Sequence, residues 1–132
     1  MIKNISGVLM TLIMINTIHS SMAADSKGNY AVWGEGGASC FQYSKARAAE
    51  KDSGFRSYLR GYLTSYNTIS EDTYSITGAM KLPEALEWLD NYCDEKSVDS
   101  FNRAIQMLIS DIEDKRYKTP RTQGISQGWG KQ

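Results

Sequence analysis

Two cysteines constrain this chain more than anything else in it. Cys40 and Cys93 are its only cysteines. Cys93 ends the apolar face of the stretch Leu82–Ser97, LPEALEWLDNYCDEKS, which carries the marks of a helix. Pro83 suits the first helical turn, where a missing N–H is no loss. Leu82, Leu86, Leu89 and Cys93 recur at steps of four, three and four, which is one helical face. A small exported domain with two cysteines most simply joins them. The alternatives are two buried thiols or pairing between chains. Closing the loop from 40 to 93 is worth roughly 4 kcal/mol on the chain-entropy model, a large share of a small domain's stability.

From the N-terminus the chain is expected to be exported to an oxidising compartment. Lys3 gives a short positive region, Val8 to Ile18 is largely apolar, and Ser21-Met22-Ala23 supplies small residues for cleavage. This is the layout of a secretory signal peptide over residues 1–23, cut near Ala23 or Ala24. The apolar run is shorter than the roughly 20 residues that span a bilayer. The mature protein is therefore expected to be periplasmic or secreted, with no stable membrane insertion after cleavage.

The full chain has 132 residues, with 15 basic against 15 acidic. Losing Lys3 leaves the mature chain close to neutral. That balance argues against nucleic acid, whose phosphates call for a basic patch. One domain is expected: an arm over 24–38, a helical domain over 39–118 and a disordered tail over 119–132.

Four helices are predicted. Ser39 caps the first, which runs to about Asp52 until Ser53-Gly54 breaks it. The second covers about Phe55 to Tyr66, with Phe55, Leu59, Tyr62, Leu63 and Tyr66 on one face. Gly61 in its middle costs about 1 kcal/mol relative to Ala, and suggests a tight helix crossing there. The third is the opening stretch. Ser97 caps the fourth, whose apolar stripe is Val98, Phe101, Ile105, Leu108 and Ile112. In the arm, Trp33 is expected to anchor the chain before a glycine-rich hinge. Trp129 is the tail's one aromatic. The fold class is thus all-α: a compact four-helix domain stapled Cys40–Cys93.

The chemistry available is narrow. The one histidine, His19, lies in the leader. Ser-His and Cys-His nucleophilic pairs are therefore excluded from the mature chain. The expectation is no enzyme, no metal and no cofactor. Glu84 with Glu87, and Asp111 with Glu113 and Asp114, are paired carboxylates, but on faces expected to be solvated. Gly34-Glu35-Gly36-Gly37 before a helix could cradle an anion, although a hinge is the plainer reading. Tyr58, Tyr62 and Tyr66 follow one another at helical steps, as packing or as a protein-binding face.

Several runs form a familiar pattern: Gly36-Gly37-Ala38-Ser39-Cys40, then Ser57 to Leu63 (SYLRGYL), then Trp88 to Cys93 (WLDNYC), then Ser97, Phe101 and Ala104. From about Gly36 to Ile112 the chain resembles the Tai/Rap immunity proteins and, more distantly, the acid-stress chaperone HdeA. The resemblance implies a compact all-α periplasmic domain with the same cysteine pairing. Tai-type proteins block cell-wall-degrading effectors, whereas HdeA-type proteins loosen in acid and hold unfolded clients. No functional motif transfers residue by residue. The expected function is an exported binding protein that neutralises a protein target such as an effector hydrolase. An acid-stress chaperone is the alternative, and a phage or mobile-element factor at the envelope is another; a homodimer is compatible with each. The expected contact surface is the Asn67–Lys81 connection with the acidic side of the third helix, through Glu71, Asp72, Tyr74, Glu84 and Glu87.

Overall fold

The computed structural model describes residues 24–120. Residues 24–30 belong to a unit separate from the rest. There the Asp25 carboxylate accepts the N–H groups of Lys27 and Asn29, both at 2.8 Å, and closes a turn. The second unit holds four helices: α1 (Cys40–Ala48), α2 (Ser53–Ile69), α3 (Leu82–Glu95) and α4 (Phe101–Ile112). Short 3-10 turns lie at Gly34–Gly37 and Glu113–Lys115. Among the described residues two isolated bridges stand in place of any strand, Ser39 with Ser100 and Ser75 with Tyr117. The all-α, four-helix architecture is as expected, and Cys40 and Cys93 are bonded at 2.08 Å. Both sulfurs are buried in the core.

The core grows from the predicted faces. Leu86, Leu89 and Cys93 of α3 meet Phe101, Ile105, Leu108 and Ile112 of α4, all buried. Phe55, Leu59 and Leu63 bring in α2, and Tyr43 brings in α1. Three rings meet at the centre: Tyr43 stacks on Phe101 at 4.6 Å, and Phe55 meets Phe101 edge-on at 5.0 Å. Such aromatic clusters add directional packing to simple burial.

The helix ends depart from the sequence reading, each for a local reason. Helix α1 stops at Ala48, well before Asp52, because Glu50 turns left-handed at φ 56°. The Lys51 N–H then bonds back to the Ala46 carbonyl at 2.8 Å and the Glu50 N–H to that of Arg47 at 3.1 Å. This is the reciprocal pattern that terminates helices, with Glu where Gly is usual. Ser53 and Gly54 therefore open α2 rather than break α1. Helix α2 also runs on past Tyr66 to Ile69, which is 77% exposed.

Helix α4 begins at Phe101 with Ser100 as its cap, not at Val98 with Ser97. The backbone of 97–100 is occupied elsewhere. The Ser97 carbonyl accepts the Phe41 N–H at 2.9 Å, and the Asp99 carbonyl accepts the Cys40 N–H at 2.7 Å. Phe101 in turn donates its N–H to the Ala38 carbonyl at 2.8 Å. These bonds satisfy the first two donors of α1 and the first donor of α4, which no helix can satisfy internally, and they lash the start of α1 to the start of α4. Val98 is left 89% exposed.

Gly61 makes no close crossing: a methyl group there would meet nothing within 4 Å. The close approach is at Gly36, where a Cβ would strike the Tyr58 ring. Gly36, itself buried, thus packs against α2, while Trp33 is 83% exposed and anchors nothing. Among the described residues no helix is long and apolar enough to cross a membrane.

Candidate functional site

The structure sorts the carboxylates around α3 into two sets. The first set is inward. Arg47 on α1 grips Asp90 on α3 with two parallel bonds, Nε to Oδ1 at 2.9 Å and Nη2 to Oδ2 at 2.7 Å. Its Nη1 reaches the Asp52 carboxylate at 3.0 Å, and Arg56 Nε reaches the same oxygen at 2.9 Å. The Tyr43 hydroxyl donates to Asp90 at 2.8 Å. Paired planar groups of this kind form the stronger charge-assisted bonds. The left-handed turn at Glu50 is what points Asp52 inward, where only 3% of it is exposed.

Electrostatics follow from these contacts. Hydrogen bonding from Arg56 holds the Asp52 carboxyl below its ordinary value, against the opposing effect of burial. At Asp90 burial pushes upward, but the bonds from Arg47 and Tyr43 outweigh it and the net direction is down. Burial, then the bond to Asp90, raises the Tyr43 phenol, so it stays protonated. Both carboxyls are thus charged partners in a folded lattice.

The second set faces outward. Glu84, Glu87, Asp94 and Glu95 are exposed on α3. Glu84 also accepts the Lys81 N–H at 2.6 Å and so caps its own helix. Beside them Trp88 and Tyr92 stack with centroids 5.4 Å apart and planes 11° from parallel. Each ring is pinned by its polar tip. The Trp88 indole N–H donates to Asp111 at 3.0 Å, and the Tyr92 hydroxyl donates to Asp99 at 2.6 Å. Trp88, Asn91, Tyr92 and Glu95 line a shallow groove along α3.

The connection between α2 and α3 spans Ser70 to Lys81. Ile76 is fully buried and plugs it into the core, and the Ile76 N–H bonds to the Asn67 side chain at 2.8 Å. Tyr74 and Ser75 both donate to the Tyr117 carbonyl, at 2.8 and 3.0 Å. Tyr117 returns a bond to Ser75 at 2.8 Å. Gly78 turns left-handed at φ 54° just where a side chain would strike the Lys115 carbonyl, so glycine is required there. Glu71, Asp72 and Tyr74 remain exposed on this braced loop. Asp72 lies 3.6 Å from Lys118, a solvent-exposed pair of little energetic weight.

Of the loop residues, Asp72 and Tyr74 are thus tied to the chain after α4, Glu71 bonds only within the loop through its carbonyl to Thr73, and Glu84 and Glu87 stand on α3. The tyrosine line of α2 packs inward: Tyr58, Tyr62 and Tyr66 lie against the core, with the Tyr58 hydroxyl on Asn102 at 2.8 Å. The Arg47–Asp52–Asp90 cluster escaped the sequence reading. Asp52 and Arg56 at helical spacing were a visible cue, but nothing local ties Asp90 to Arg47. The Trp88–Tyr92 step of four was equally visible. Among the described residues no group of three His, Cys, Asp or Glu side chains is placed to hold a metal ion. The predicted leader and Trp129 lie outside the described residues. No protein-family model matches the chain, and neither a curated protein nor a solved structure does.

Proposed function

We propose that this chain is an exported binding protein that neutralises a protein target, a cell-wall-degrading effector being the kind its resemblance to the Tai/Rap proteins implies. The observation that carries this reading is the braced loop. A long connection is where binding commonly resides. Here Ile76 and Tyr117 fix its backbone while Glu71, Asp72 and Tyr74 stay outside. A loop ordered in advance loses less entropy when it binds. The stapled helices supply the rigid support. Capture by the mature chain from periplasmic extract should recover one hydrolase, and Glu71→Ala with Asp72→Ala should weaken that capture. Undiminished capture by the double variant would remove the loop from the reading. N-terminal sequencing of the protein from its native compartment tests export, with cleavage expected near Ala23.

The corner of Arg47, Asp52 and Asp90 favours a second reading, the acid-stress chaperone. Protonating Asp52 and Asp90 removes the partners of Arg47 and loosens α1 from α3, exposing apolar surface. Dye binding from pH 7 to pH 2, beside suppression of client aggregation, separates the two readings. Absence of client protection in acid would eliminate the chaperone.

A further inference from the structure

The outer side of α3 carries charge that the fold itself does not use. Between Leu82 and Glu95 there are Glu84, Glu87, Asp90, Asp94 and Glu95, and no Lys, Arg or His. Asp90 is neutralised by Arg47. Glu84 caps the helix start, where a negative charge is favourable. Glu87, Asp94 and Glu95 are exposed, and among the described residues none of them forms an ion pair. Asp94 and Glu95 occupy the last turn, which has no basic residue. There the helix dipole is negative, so both stand against local stability. Where a local rule is broken without a compensating contact, function is the usual reason.

The aromatic pair supplies an independent second observation. Trp88 and Tyr92 are half-buried, mutually stacked and held at their polar tips by Asp111 and Asp99. They form a fixed platform in the groove between Asn91 and Glu95. Ring faces are electron-rich and attract ammonium and guanidinium groups, and nearby carboxylates strengthen that attraction. The Arg103 guanidinium already stands at the Tyr92 hydroxyl beside Asp99, so Glu87 and Glu95 are the carboxylates left to draw an incoming cation.

We propose that the Trp88–Tyr92 groove and the neighbouring Glu87 and Glu95 dock a segment of the partner protein that bears lysine and arginine. The proposal rests on the protein-binding reading above and names the chemistry of its partner. Arginine is the preferred contact, since its planar head both stacks on the rings and forks onto a carboxylate. The basic segment lies along α3, with its cationic heads over the rings and against Glu87 and Glu95.

The test uses the isotope-labelled mature chain and a repeated Gly-Arg-Gly-Lys peptide at about 150 mM salt, where long-range attraction is screened. A Gly-Glu peptide is the control. Amide and indole shifts are expected to saturate and to centre on Trp88, Asn91, Tyr92 and Glu95. Glu87→Gln with Glu95→Gln should weaken binding about tenfold, and Trp88→Phe about threefold. Shifts that fail to saturate, that centre on Glu113 and Asp114, or that survive the Gln variants would overturn the proposal. Concentration-dependent dimerisation that moves the same residues without peptide would overturn it in favour of a second copy. Glu71→Ala with Asp72→Ala should leave peptide binding unchanged. A failed capture of hydrolase beside intact peptide binding would therefore count against the neutralising role and not against this groove.

Discussion

Helix α3 has two sides made of the same residue types, used in opposite ways. On the inward side Cys93 is bonded to Cys40 and Asp90 is gripped by Arg47. On the outward side Glu87, Asp94 and Glu95 have no cationic partner among the described residues. A carboxylate taken out of water must be paired, because its charge is costly to bury alone. A carboxylate left in water has no such requirement, and it stays available to an incoming cation. The inner side therefore holds the fold, and the outer side is free to recognise something else.

That division can be broken from the inside first. Replacing Cys40 and Cys93 together by Ser should lower unfolding free energy by about 4 kcal/mol in chemical denaturation. A loss under about 1 kcal/mol would mean the staple matters little to the packing of α1 against α3. Arg47→Met comes next, since it leaves both Asp52 and Asp90 short of a partner. The expected loss is about 3 kcal/mol, and a neutral result would show that the corner is not structural.

Acid should probe the same corner without mutation. The folded carboxyls of Asp52 and Asp90 lie below their ordinary values. Their contribution is present above the unfolded aspartate value, about 3.9, and is lost as pH falls through the lower folded values. Melting temperature should thus drop below about pH 4, and Asp52→Asn should flatten that drop at the expense of stability near neutrality. A melting temperature indifferent to pH from 7 to 2 would contradict the assignment. Tyr43→Phe is a smaller change. It removes one donor from Asp90 but leaves Arg47 in place, so about 1 kcal/mol is expected from thermal melts.

Much of the inner side was readable in the sequence. The step pattern through Leu86, Leu89 and Cys93 is set by helical geometry, which any apolar stripe reveals. Ser39 reads correctly as a cap because its role is local: its hydroxyl accepts the Gln42 N–H at 3.2 Å. Helix ends decided by distant backbone were not readable. Val98 continues the stripe of α4 in sequence, yet residues 97–100 are spent holding the start of α1. Glu50 gives no sign of a left-handed turn, since glycine is the usual marker. At the candidate surface Glu84 looked equivalent to Glu87. Only the structure separates them, because Glu84 is engaged by the Lys81 backbone. Gly61 suggested a crossing that the structure places at Gly36, a residue whose role depends on where Tyr58 lies.

The most direct measurement is the urea unfolding free energy of the triple variant Glu87→Gln, Asp94→Asn, Glu95→Gln. If the outer side of α3 is free of structural duty, the variant should match the parent or exceed it by about 0.5 kcal/mol, because two charges opposing the helix dipole are gone. A loss of about 2 kcal/mol or more would show that these carboxylates hold the fold after all, and the separation of the two sides would fail.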